Sequence, residues 1–182
     1  MRELRALVPS GITLLSLTDI DFHAPIAETE MSLEGNARIK AQTIYDAYGH
    51  ACIADDTGLF VEALDGAPGV HSARYAGESA DAESNMKKLL NDLGDESNRK
   101  AYFKTVIAFV HEGLVRYYEG RIDGVITREL RGSSGFGYDP IFLPMGHDQT
   151  FGEMNAVIKN AISHRGRALR SLLDFLESGS GM

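Results

Sequence analysis

The stretch "ACIADDTGLFVEAL", Ala51 to Leu64, sets two adjacent acids, Asp55 and Asp56, at the end of an apolar run, followed by Thr57 and Gly58. Ionised carboxylates beside a hydrophobic strand are costly unless a cation, a proton or hydrogen-bond donors compensate them. The bland alternative is a turn or cap formed with Thr57 and Gly58. Two later segments also concentrate chemistry. "RGSSGFGYDP", Arg131 to Pro140, carries Phe136, Gly137, Tyr138 and Asp139, and "IKNAISHRGRAL", Ile158 to Leu169, carries Lys159, His164 and Arg165. Each alone is a weak signal, because glycine-rich loops are often plain turns. The remaining histidines, His23, His50, His71, His111 and His147, have no spacing that indicates zinc.

The elements that must position these groups belong to an ordinary globular chain. At 182 residues, 43% hydrophobic and 24% charged, the sequence suits one domain over 1–182, or two small lobes. A net charge of −8 supplies no basic stripe for a nucleic-acid polymer, so any polyanionic substrate must be met locally. The single cysteine, Cys52, lies in the apolar run before the acids and reads as core. It can build neither a disulfide nor a Cys-ligated zinc site, which fits a reducing cytoplasm. The apolar runs fall short of about 18 residues and no signal-type region opens the chain, which argues against membrane or export.

Periodicity gives alternating helices and strands. "RELRALVP" places Leu4, Leu7 and Val8 on one helical face and stops at Pro9, and "ITLLSL", Ile12 to Leu17, reads as a short strand. Leu33, Ala37, Ile44 and Tyr48 predict a helix over 32–48; Met86, Leu89, Leu90 and Leu93 predict a second, closed by Gly94; Leu169, Leu172, Leu173 and Leu176 mark a third. "AYFKTVIAFV" is apolar on both faces, as a central strand should be, and after the "HEG" turn "LVRYYEGRIDGVITREL" looks extended. The layout is α/β with antiparallel pairing in the middle.

Taken together and in order, "ADDTG", "GAPGVHSARYAG", "GFGYDPIF" and "KNAISHRGRAL" closely resemble the inosine triphosphate pyrophosphatase family, house-cleaning enzymes that hydrolyse dITP, ITP and XTP to monophosphate and pyrophosphate. The resemblance spans residues 2 to 178. It implies Mg²⁺ as cofactor, held by Asp56, which is also the proton acceptor, and by Glu28 in "IAETEMSLEGNARIK". Asp55 is then either an additional ligand or an acceptor one step removed from the metal. Lys40, Arg74 and Lys159 stand at spacings similar to the family's substrate-binding cations, and Thr57 can donate to a phosphate. Phe136 or Tyr138 offers a stacking face for the purine, with Gly137 and Asp139 in the same loop. His164 and Arg165 fall at the base, where an arginine donor satisfies a 6-keto oxygen and an adenine amino group leaves it unpaired.

The implied architecture is α/β, an elongated mixed sheet flanked by helices, in two lobes with a central nucleotide cleft, assembled as a homodimer. The partner expected is a purine nucleoside triphosphate, with neither nucleic-acid polymer nor membrane. Family members open on an apolar strand and a Ser/Thr-x-Asn-x-x-Lys phosphate loop ahead of the first helix. The present sequence opens at Met1-Arg2-Glu3-Leu4, already in that helix, so the sheet is expected to lack that strand. Two other readings stay open: a Maf-type nucleotide pyrophosphatase acting on other modified bases, and a nucleotide-binding protein without catalysis.

Overall fold

A strand apolar on both faces belongs in the middle of a sheet, and Lys100–His111 lies there. The computed structural model describes residues 11–78 and 81–179. Its strands are β1 (Cys52–Val61), β2 (Pro68–Gly69), β3 (Lys100–His111), β4 (Leu114–Ile126) and β5 (Phe142–Pro144), in the order β2-β1-β3-β4-β5. The α/β class expected from the sequence is what the structure has, and every pairing between described strands is antiparallel. Glu112 and Gly113, both at positive φ, close β3 onto β4 as a two-residue hairpin. β1 pairs along its whole length with β3, but its other edge meets β2 only at Leu59 and Phe60. From Cys52 to Gly58 that edge carries no described strand.

Four helices complete the fold: α1 (Leu33–Tyr48), α2 (Ala82–Leu93), α3 (Ala156–Ile162) and α4 (His164–Glu177). Local chemistry fixes their ends. The Ser32 and Asp81 side chains accept from Gly35 N and Ser84 N to start α1 and α2, and the Gly49 and Gly94 N–H groups close them onto Tyr45 and Leu90 carbonyls. Ser163 ends α3 and caps α4, accepting from Gly166 N. α2 begins four residues before its first apolar marker, Met86, because its first turn is set by the Asp81 cap and buries no hydrophobic residue.

The sheet's two halves are covered differently. On one face, Leu33, Ala37 and Ala41 of α1 bury against Val106, Ala108 and Val110. On the other, Ala168 and Leu172 of α4 pack on Ile107, Phe109 and Tyr118, and further along Met86, Leu89 and Leu93 of α2 pack with Leu59, Val61 and Phe103. This gives one hydrophobic cluster on the α1 face and two along the opposite face of one continuous sheet, with Asp55 and Asp56 inside β1 rather than at a strand end as the sequence suggested. No described helix is long and apolar enough to cross a membrane.

The helix marked by Leu4, Leu7 and Val8 lies outside the described residues. The strand expected over 12–17 is absent: exposure alternates there, but Leu15 is 56% and Leu17 45% exposed, and the segment joins no ladder among the described residues. Alternation defines a face, and a strand also needs a neighbour to hydrogen-bond.

Candidate functional site

Register decides what the paired acids can do. Asp55 stands opposite Ile107, Asp56 opposite Val106 and Thr57 opposite Thr105, so the two carboxylates leave β1 on opposite faces. Asp56 meets α1, whereas Asp55 meets the start of α4. Both nevertheless line one cleft of about 390 Å³, together with Lys40, Phe136 and Arg165. Among the described residues the β1 edge from Cys52 to Gly58 pairs with no strand, and a ligand lying along it would reach both faces of the sheet.

On the α1 side, the Lys40 ammonium donates to Glu28 Oε1 and to Asp56 Oδ1, both at 2.8 Å. Arg74 Nη1 lies 3.8 Å from Glu28 Oε2. Four residues expected at the phosphates are thus in one cluster. Burial raises the Asp56 carboxyl above its ordinary value against the opposing pull of Lys40. Burial also works to lower Lys40, but its hydrogen bonds to Asp56 and Glu28 outweigh that and hold it above the usual lysine value. Asn36, absent from the sequence expectations, is fully buried here; Nδ2 donates to Asp56 Oδ2 at 3.4 Å while Oδ1 accepts from Glu30 N at 3.0 Å. Its signal was the i, i+4 spacing to Lys40, which puts both on one helical face.

On the α4 side, Arg165 donates from Nε and Nη2 to Asp55 Oδ2, at 3.2 and 2.9 Å. His164 beside it is buried and stacked on Phe103, with centroids 4.5 Å apart and planes 14° off parallel. Burial, followed by the charges of Arg165 and Lys159, lowers His164 to about 3, so its ring is neutral near pH 7, and Nδ1 is buried without a hydrogen-bond partner among the described residues. α4 can come so close because Gly120 lies beneath it: a Cβ there would sit 1.9 Å from the His164 carbonyl oxygen.

The glycine loop separates the two aromatic candidates. Phe136 is 62% exposed and faces the cleft, with Lys159 Nζ 4.5 Å and Arg165 Cζ 5.2 Å from its ring centroid. Tyr138 is core, and its hydroxyl donates to the Ser72 carbonyl at 2.8 Å, tying the loop to the turn that carries Arg74. Asp139 is buried, accepting from Phe136 N at 2.7 Å and from Lys159 Nζ. Its carboxylate fills the space a side chain at Gly135 would need, and Gly137, at φ +61°, completes the bend. Lys159 is thereby held beneath the Phe136 ring. Thr57 lies within β1, not in a turn or cap, and shares a 2.7 Å hydroxyl contact with Thr105, the residue opposite it in β3.

The oxygen ligands available to a cation are Glu28 and Asp56. No group of three or more His, Cys, Asp or Glu side chains comes together as a metal site among the described residues. Two carboxylates that share an ammonium fit a Mg²⁺ whose other ligands are water and substrate phosphate.

Comparison with known proteins identifies relatives over nearly the whole chain. The chain is 49% identical to a dITP/XTP pyrophosphatase of Porphyromonas gingivalis over 177 residues, covering 97% of this chain and 91% of that protein. It is 49% identical to one of Flavobacterium johnsoniae over 174 residues, covering 96% and 91%. The Staphylococcus aureus Ham1 protein structure superposes with a TM-score of 0.92 at 36% identity, over 98% of this chain and 93% of that one. A Mycobacterium abscessus structure described as a nucleoside-triphosphatase / dITP/XTP pyrophosphatase does so with a TM-score of 0.78 at 45% identity, over 96% and 91%. The Ham1 family model matches residues 1–175, and the chain belongs to the Ham1 family.

Proposed function

We propose that this protein hydrolyses non-canonical purine nucleoside triphosphates, dITP, ITP and XTP, to the monophosphate and pyrophosphate. The observation that carries the reading is the single cleft in which Lys40, bridging Glu28 and Asp56, and Arg165, beside Phe136, lie on the two sides of one strand edge. The names of the relatives favour it over a Maf-type pyrophosphatase or a non-catalytic binder.

The chemistry follows from the division. A water attacks the α-phosphorus, its proton passes to Asp56, and the bond to the pyrophosphate oxygen breaks. Asp56 is placed for this by the β1–β3 ladder and by Asn36 and Lys40, which fix its two carboxylate oxygens. Lys40 and Arg74 supply fixed positive charge to the phosphates without reorganising. Mg²⁺, held by Glu28 and Asp56, would supply Lewis-acid polarisation and charge neutralisation. Phe136 stacks the purine, and Arg165 donates to the 6-keto oxygen. With adenine the donor faces an amino group, at a cost of about 1–3 kcal/mol.

Pyrophosphate release from dITP with Mg²⁺ and with EDTA tests the proposal. Release that stops on chelation is expected; no release from dITP, ITP or XTP with Mg²⁺ overturns it. The family resemblance also supports a homodimer, which sedimentation would check. Burial pushes the half-buried Cys52 thiol up to about 11, so it is protonated near pH 7, which suits the reducing cytoplasm expected for a single cysteine.

A further inference from the structure

Asp55 has no part in the phosphate cluster, yet it is fixed in the cleft by the β1–β3 ladder and meets the one guanidinium assigned to the base. We propose that Asp55 is a positioning residue that holds Arg165 on the base side of the strand and presets it for the 6-keto edge. The proposal rests on the base-recognition reading of Arg165. Nε and Nη2 converge on a single oxygen, Asp55 Oδ2, while Nη1 makes no hydrogen bond among the described residues and is left to serve a ligand. Both ends of the pair are anchored in rigid elements: Asp55 by the sheet, and Arg165 by the first turn of α4 under the Ser163 cap. The same guanidinium lies beside the Phe136 ring.

Electrostatics supplies the reason for a carboxylate at this position. A triphosphate brings about four negative charges into the cleft, and an uncompensated arginine on a flexible stem would be drawn to them around the edge of β1. Asp55 opposes that migration and removes part of the entropy cost of ordering the side chain when substrate binds. As an ion pair it does little for folding, because both side chains are 42% exposed. Its effect belongs in binding and selection.

The test is a cycle of dITP and dATP kinetics for the parent, Asp55→Asn, Asp55→Glu, Arg165→Ala and the Asp55→Asn/Arg165→Ala double variant, with Asp55→Ser as a second neutral replacement should Asp55→Asn fold poorly. Asp55→Asn is expected to raise KM for dITP by about threefold to tenfold, the range for ordering one free side chain, with kcat within about twofold. The preference for dITP over dATP should fall by the same factor, and Asp55→Glu should restore most of it. In the Arg165→Ala background, Asp55→Asn should change nothing further. An unchanged KM in both neutral variants, or an equal loss with and without Arg165, overturns the positioning role. If Arg165→Ala leaves the preference intact, the base reading itself fails and takes this inference with it; if Arg165→Ala lowers the preference while Asp55→Asn does not, only the inference fails.

Discussion

The two faces of β1 solve one problem by opposite means. The α1 face is dense in charge, with Glu28, Lys40, Arg74 and Asp56 linked through shared ammonium and guanidinium contacts. The α4 face is built more from rings and shape: a neutral His164 stacked on Phe103, an exposed Phe136, and two ion pairs, Arg165–Asp55 at its rim and Lys159–Asp139 beneath Phe136. In the proposed reading, the charged face meets the phosphates by ionic and proton-transfer chemistry, and the other face meets the neutral purine by stacking and one oriented donor. Damage to the first face should appear in turnover, and damage to the second in choice of substrate.

The largest expected effect is Asp56→Asn. It removes the proposed proton acceptor and should lower kcat on dITP by about 10²–10⁴-fold with the fold retained. Turnover within about threefold of the parent, with a normal melting curve, would break the assignment of chemistry to the α1 face. Next, Arg165→Ala should reduce kcat/KM for dITP by about 5- to 150-fold, the equivalent of an unmet donor, while trace activity on dATP hardly moves. An equal fall on both substrates would place Arg165 among the phosphate contacts and erase the comparison.

A third effect is read from stability against pH. His164 is lowered in the fold to about 3 from an ordinary 6.5 by burial, then by the charges of Arg165 and Lys159. Between those values the unfolded chain takes up a proton that the folded one refuses, so stability is full above pH 6.5 and falls as the pH drops. The loss is about 1.4 kcal/mol, or tenfold in the folding equilibrium, per pH unit. Urea unfolding from pH 7.5 to 5 should show this slope, and His164→Gln should flatten it; an unchanged slope would mean that the ring is not the buried neutral group described. The smallest effect is Tyr138→Phe. Losing the hydrogen bond to Ser72 should cost about 0.5–1.5 kcal/mol in the same assay, and no change would show that the tie between the base loop and the Arg74 turn is dispensable.

Much of this division was legible in the sequence, and its limits were physical. The run that carries Asp55 and Asp56 announces a strand, and a period of two already places neighbours on opposite faces. What compensates each acid was less accessible: Lys40 is sixteen residues away and Arg165 one hundred and ten, a closure that only the packed helices define. Phe136 and Tyr138 look equivalent in "GFGYDP", and only the third dimension sends one to the cleft and the other to the core. Asn36 was readable from its spacing to Lys40, but a buried asparagine has no signature until its carboxylate partner is known. The segment over 12–17 shows the converse, a strand-like pattern without a ladder.

Gly120 carries a consequence for how this site can change. The distance between the start of α4 and the sheet is set there by bare backbone, with no space for even a methyl group. A graded series of side chains, which elsewhere lets a lineage or an engineer adjust a pocket by tenths of an ångström, does not exist at this contact. Any replacement would push His164 and Arg165 outward together, while Asp56 and Lys40 on the opposite face stay where they are. If the base is read at this end of α4, its distance from the sheet is held at a discrete setting, and new preferences would arise from exchanges at residues such as Arg165, Phe136 or Asp55 rather than from graded changes beneath the helix.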